Sequence, residues 1–534
     1  MTGRQGNLSR RQFLKAAAAV TMGSVLTACG PAPQPTPTLR APEPSQPTAT
    51  PQVATAVPTA VPVIALDYYY LGSQQKDLDV VWAAINEQLK ERINATITPH
   101  LIDWGEYVQK INLINASGEP LDIYFTSWGW TLKYSEEIRQ GNLWAMDDAL
   151  PVLCPKTWAS MKKEIWDAAR VKGKIYGVMN QQIFAIGNGI AHRKDLLEKY
   201  GRKAEDFKAY ADLTDWAREL KEKEPGLLAP IYSEKGHVVT SAGADFGWDN
   251  GGAPAGSVRY NDPNMKVSGY KEMWEPGADW RGEGHYCELL DGWYRAGYIL
   301  PESMEQAEAR AAFAQGKFAV ISGHPIKPGG MAENKGLMGG VWDFEASKIN
   351  PGLLTTSGII ATMSSVSVRS KDPERCMQYL EIINTDKDLY TTLCKGIEGK
   401  HWVWVDKARN LAGWPSGVTG DTSGYNPNTD WMFGCQFNAP YMEEASIGAW
   451  EETKRENDEN PASNLVGFLF DVEPVSAEAA AIGAVHPEYG DLCAGRRSDI
   501  PGTLAEYWFK LDAAGYQKVA DELQRQINAW AETR

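Results

Sequence analysis

The apolar positions of this chain fall into a strand–helix alternation that begins at residue 63. Val63–Leu71 is a β-rich run ending at Gly72. From Asp77 to Ile93, Leu78, Val81, Trp82, Ile85, Leu89 and Ile93 recur at the three/four spacing of one helix face. Ala95–Ile102 predicts a second strand, Tyr107–Ala116 a helix closed by Gly118, and Asp122–Phe125 a third strand. The order βαβαβ predicts an α/β fold that opens as a parallel, doubly wound sheet. Ligands of such sheets meet the C-terminal ends of the strands. Here those ends are Ser73–Lys76, Asp103-Trp104 and Thr126–Trp130.

Further along, Lys156–Val171 reads as helix, and Gly173–Val178 leads into Met179-Asn180-Gln181-Gln182. Residues 183–354 read as another α/β unit. Helical patterns lie near 194–200, 211–224, 281–297 and 302–315, with a strand at Lys317–Ser322. The stretch 245–280 is rich in Gly, Pro and Asn and predicts irregular structure. Ser357–Ser367 is β-like, and Asp372 caps a helix that has Pro373 in its first turn. Tyr516, Val519, Leu523, Ile527 and Trp530 make a C-terminal amphipathic helix.

The N-terminus follows none of these periods. Residues 1–28 hold Arg4, Arg10, Arg11 and Lys15 and no acid, ahead of an apolar run too short to span a bilayer. Ser9-Arg10-Arg11-Gln12-Phe13-Leu14-Lys15 resembles the twin-arginine export signal at every defined position, which implies export of a folded protein. Leu26-Thr27-Ala28-Cys29 resembles a bacterial lipobox, in which Cys29 is lipidated and becomes the new N-terminus. Ten of the 32 residues in 31–62 are Pro, so 29–62 reads as a lipid-bearing, extended tether. The resemblances imply an anchor on the outer face of the cell membrane.

Composition narrows the rest. The 534 residues carry a net charge of −15, and removing the four cations of the signal takes it to −19. A nucleic-acid partner is therefore not expected. Six cysteines remain after Cys29: Cys154, Cys287, Cys376, Cys394, Cys435 and Cys493, none in a C-x-x-C pair. The seven His show no metal-ligand spacing, and no P-loop, H-E-x-x-H, G-x-S-x-G or EF-hand pattern occurs, so no metal, cofactor or catalytic residue is expected.

Several segments in order carry a family resemblance. They are Gly173-Lys174-Ile175-Tyr176-Gly177-Val178, Ile190–Gly201, Ala312–Val320, Ile102–Tyr107, Gly396–His401, Ser423–Pro427 and Trp431–Gly434. The set resembles the sugar-binding solute-binding proteins of ABC importers, and a lipoprotein subgroup assigned to complex-oligosaccharide or aldouronate uptake. The resemblance implies a two-lobed periplasmic-binding-protein type II fold with three inter-lobe crossings, placed near Val178–Gln182, Ser357–Ala361 and Ile397–His401. One lobe would be 63–178 with 358–396, the other 183–354 with 402–534. It further implies a monomer that closes on an oligosaccharide by hinge motion and docks on permease subunits.

A sugar site needs aromatic faces and paired hydrogen-bonding groups. The candidates are Trp128, Trp130, Thr126 and Ser127 past the third strand, and Gln74 and Gln75 past the first. Asn180, Gln181 and Gln182 lie on the first expected crossing, and Trp248 and Asp249 in a Gly-rich loop. The resemblance implies a ligand aromatic after Lys317–Ser322, where this chain has His324, and a late cleft segment holding Trp431 and Gln436. Trp82 and Trp530 lie on apolar helix faces and read as core. Two alternatives stay open: an importer protein for peptides or other solutes, and a secreted glycosidase or polysaccharide lyase. A glycosidase needs two facing carboxylates, which 68 acidic residues leave unassignable.

Overall fold

The computed structural model describes residues 62–233, 247–269, 286–301, 304, 306–489 and 499–533. The signal motif, Cys29 and nearly all of the tether lie outside the described residues. Twelve strands matter here: β1 Ile64–Leu71, β2 Ala95–Ile102, β3 Ile123–Thr126, β4 Gly177–Met179, β5 Gly187–Arg193, β6 Ile231–Ser233, β7 Trp248–Asp249, β8 Ser257–Arg259, β9 Val267–Ser268, β10 Val320–Ile326, β11 Phe344–Asn350 and β12 Met363–Val366.

The first sheet has the order β2-β1-β3-β12-β4. Its first three strands are parallel, as the alternation predicts, and β12 and β4 join antiparallel. Helices α1 (Leu78–Ile93) and α2 (Tyr107–Ser117) are the crossovers, and α1 buries Leu78, Val81, Trp82, Ile85 and Leu89. The second sheet, β11-β5-β10-β6, has its own core around Trp216 and Trp293. A small sheet, β9-β8-β7, packs with C-terminal residues through Ala253, Val258, Leu523 and Ile527. The chain leaves the first sheet for the second between Met179 and Gly187 and returns between Asn350 and Met363.

Five expectations change. The Ser357–Ser367 stretch begins as a helical turn, α3 (Thr356–Ile359), because the Thr355 hydroxyl accepts the Gly358 N–H; the strand starts only at Met363. Lys156–Val171 contains parts of two short helices, Pro155–Ser160 and Lys163–Ala168, rather than one long one. The Lys317–Ser322 strand is displaced to Val320–Ile326. Ile397–His401 is not a passage between sheets. His401 is fully buried, takes the Ile397 N–H on Nδ1 (2.8 Å), and donates from Nε2 to Asp77 (3.1 Å) beside β1. The segment that follows buries Tyr425, Met432, Phe433 and Ala439 in the first core, so it packs there and not with the second sheet as expected.

Contact with the second sheet comes later, through helix α4 (Ala449–Glu459). Its Glu456 pairs with Lys348 of β11 (2.5 Å), and its Asn457 takes the Phe184 N–H and donates to Gln182 O. Cys154, Cys376, Cys394 and Cys435 are buried free thiols, and burial pushes the Cys435 thiol up to about 11. The side chains of Cys287 and Cys493 lie outside the described residues. Among the described residues no helix is long and apolar enough to cross a membrane.

Candidate functional site

The C-terminal ends of the parallel strands gather three indoles. Trp104 follows β2, Trp130 follows β3, and Trp431 rides on the turn Asp430–Met432. Their ring centroids lie 6.0 Å (Trp104–Trp130), 5.9 Å (Trp104–Trp431) and 6.0 Å (Trp130–Trp431) apart. Phe125 of β3 supports Trp130 at 5.6 Å. Trp104 is 46% exposed and Trp130 41%, while Trp431 is half-buried. Large apolar rings grouped at a surface mark a place for a partner.

Local chemistry fixes the group. The Trp130 indole N–H donates to Ala361 O (2.7 Å). The Trp431 carbonyl accepts from Gln182 Nε2 (3.2 Å) and Thr362 Oγ1 (3.4 Å). The turn beneath Trp431 is held by Tyr390, whose hydroxyl donates to Asp430 O (2.5 Å). Three residues on, Gly434 has φ +37°, and a Cβ there would stand 2.2 Å from Ile383 O. Only glycine lets this segment lie so close to the end of the helix Pro373–Thr385.

The expected residues divide. Trp130 and Trp431 come together; Trp128 is exposed outside the three-indole group. Gln182 spends its amide N–H groups on Thr362 Oγ1 and Trp431 O, and its side-chain oxygen has no protein partner among the described residues. Gln74 is exposed, and Gln75 is taken up by Ser73 O and the Asn426 N–H. Gln436 is half-buried and fixed through its backbone N–H to Gln181 O.

The remaining candidates lie outside the indole group, and most of them are hydrogen-bonded within the protein. Thr126 and Ser127 are fully buried; Thr126 Oγ1 bonds Ser365 Oγ, and Ser127 Oγ accepts the Thr131 N–H. Asn180 donates to Met432 O and accepts from Ser364 Oγ. Gln181 donates to Asn384 and accepts from Ser160 Oγ. Amides on a passage are costly unless paired, and these two are paired inside the protein. His324 Nε2 is engaged with Asn334 Oδ1 (3.0 Å). Trp248 and Asp249 form β7, an edge strand of the small sheet. The Arg259 guanidinium lies 5.0 Å over the Trp248 ring, and burial holds the Asp249 carboxyl above the usual carboxylate range.

Sequence reasoning left out Trp104 as a candidate. Its signal was its place: it directly follows Asp103 at the end of a parallel strand. Among the described residues no group of three or more His, Cys, Asp and Glu is placed to hold a metal ion.

Residues 7–27 match the TAT (twin-arginine translocation) pathway signal sequence, which places the S-R-R-x-F-L-K motif in that pathway. Residues 464–532 match a domain of unknown function, DUF3502. A "Carbohydrate ABC transporter substrate-binding protein" of Streptococcus pneumoniae serotype 4 (strain ATCC BAA-334 / TIGR4) is 25% identical over 488 residues, covering 89% of this chain and 92% of the relative. The crystal structure of the N-glycan transport solute binding protein of Streptococcus pneumoniae superposes with a TM-score of 0.74 at 21% identity, covering 88% of this chain and 99% of that one. The same protein in complex with Man5GlcNAc superposes at 0.62, with 22% identity and the same coverage. Residues 72–346, just over half of the chain, match the bacterial extracellular solute-binding proteins. The chain belongs to that family, whose members are non-enzymatic components of transport.

Proposed function

We propose that this chain captures a complex oligosaccharide outside the cell and delivers it to an ABC importer. The observation that carries the reading is the half-exposed group of Trp104, Trp130 and Trp431 at the ends of parallel strands. Sugar rings offer flat C–H faces to indoles and hydroxyls to amides such as Gln182. The relatives lend support: one is a carbohydrate substrate-binding protein, and the other is seen with Man5GlcNAc.

The protein works as two lobes built on the two sheets. They are joined by passages near 180–186, 351–362 and 449–463, and they close on the ligand by hinge motion. Export by the twin-arginine route, lipidation at Cys29 and the Pro-rich tether then hold a monomer at the outer face of the membrane, next to its permease.

Thermal shift across malto-, xylo- and mannosyl-oligosaccharides and a peptide mixture tests the reading. Product analysis runs alongside. Stabilisation of about 2.7 kcal/mol is expected at a hundredfold excess of ligand over Kd. Sugar fragments released by the protein, or stabilisation by peptides alone, would sink it.

A further inference from the structure

The C-terminal unit, 464–532, has no assigned role, and its contacts suggest one. The strip 463–470 divides its side chains between two cores. Leu465 and Phe468 are buried with Ala253, Val258, Leu523 and Ile527. Val466 is buried in the first core, and Leu469 packs against it. Between them Gly467 has φ +94°, and a Cβ there would stand 3.3 Å from Asp167 O and 3.6 Å from the Trp530 ring. The strip is therefore a thin layer between a helix of the first core and the last helix of the chain.

Two sets of bonds leave this strip. Toward the passage between the sheets, the Thr356 hydroxyl donates to Leu465 O (3.0 Å) and accepts the Gly467 N–H (2.9 Å). Leu354 N–H donates to Pro461 O, and Ser463 N–H to Leu354 O. Toward the small sheet, Phe470 N–H donates to Gly251 O and Asn464 N–H to Tyr260 O. The rest of the unit holds the same sheet: the Tyr516 hydroxyl accepts the Gly256 N–H (2.9 Å), and Gln524 accepts the Val267 N–H (2.7 Å). The far end of the passage meets the indole residues, at Ala361 O with the Trp130 indole N–H and at Thr362 Oγ1 with Trp431 O. Nine residues, 354–362, thus join the indole group to the C-terminal unit.

We propose that residues 464–489 and 499–532 form a strap that fixes the 247–268 segment to the passage, with Thr356 as the positioning residue that fastens it. By bracing the passage whose far end holds Trp130 at Ala361 O and Trp431 at Thr362 Oγ1, the strap contributes to ligand affinity. This inference rests on the binding function proposed above. Thr356 touches no ligand; it acts through Leu465 and Gly467. Coupling of this kind is carried by packed and hydrogen-bonded elements that move as units.

The test is Thr356→Val, nearly isosteric, which leaves Leu465 O and the Gly467 N–H buried without their partner. Thr356→Ser is the rescue, and Tyr516→Phe is a milder second variant at the other end of the strap. Amide exchange of the ligand-free full chain should speed up together at 464–470 and at 247–259 in Thr356→Val, and return to wild-type rates in Thr356→Ser. Affinity for the oligosaccharide that best stabilises the wild type should fall at least fivefold in Thr356→Val and at least twofold in Tyr516→Phe. If Thr356→Val does not fold, Tyr516→Phe carries both readouts. Unchanged exchange at 247–259, or a lower melting temperature with wild-type affinity, would overturn the strap. A wild type that binds no sugar instead overturns the proposed function, and the exchange comparison still decides whether the strap exists.

Discussion

Trp104 gives the sharpest prediction, because its ring stands far out of the fold. A Trp side chain buries about 150–250 Å² when fully covered. With 46% of its surface in water, Trp104 has roughly 100 Å² left for a ligand to cover. A sugar stacked on one face removes about half of that. At ~25 cal/mol per Å², the contact contributes about 1.3 kcal/mol, or close to tenfold in Kd. Trp104→Ala should therefore weaken binding about tenfold, read by calorimetric titration. Its cost to stability should stay near that of the lost ring contacts with Trp130 and Trp431, about 1 kcal/mol, because the ring is not part of a core. Affinity within twofold of wild type, in a variant that melts normally, would refute the placement of ligand on this indole.

Other predictions concern the frame around the site. Gly434→Ala should destabilise by at least about 2 kcal/mol in urea unfolding, since the new Cβ meets Ile383 O and the backbone sits at positive φ. Lys348→Met leaves Glu456 as a nearly buried, unpaired charge on α4; a loss of about 2–3 kcal/mol is expected, below the range for a fully buried pair because Lys348 stays partly in water, and Glu456→Leu in the same chain should restore most of it. His192 is buried on β5; its Nε2–H donates to Ser347 Oγ, whose proton goes to Ala204 O, and burial pushes its pKa down to about 3. The folded state holds this ring neutral while the unfolded chain protonates it near pH 6.5, so its contribution is whole above that pH and is lost as pH falls toward 3. Between pH 7.5 and 5 this one group should remove about 2 kcal/mol, and His192→Gln should flatten that slope in pH-dependent melts.

The parts of this molecule that could be read in its sequence are those whose cause is local. The βαβαβ opening is written in periods of two and three/four, and the first sheet keeps it, so the strand ends near residues 104 and 130 were placed correctly. What failed depended on distant partners. Asn180 and Gln181 look like ligand amides on a passage, but Met432 and Asn384, more than 200 residues away in the chain, use them. The stretch after Ser357 has β-like residues, yet one hydroxyl, Thr355, tips its start into a helical turn. Ile397–His401 could not be assigned to the first core without Asp77, its partner across the chain. Trp104 was visible only as a strand end, since a lone Trp has no local pattern that separates a core ring from an exposed one. The C-terminal helix was plain from its spacing, but the division of 463–470 between two cores is a property of packing alone.

An oligosaccharide held intact at Trp104, Trp130 and Trp431 would change the surroundings of these three indoles. Tryptophan fluorescence of the full chain, titrated with a mannosyl-oligosaccharide such as Man5GlcNAc and with unrelated oligosaccharides of similar length, tests it most directly. A saturable change for at least one sugar, abolished or weakened about tenfold in Trp104→Ala, is the predicted result. No saturable change for any sugar, or one that Trp104→Ala and Trp130→Ala both leave at wild-type affinity, would contradict it.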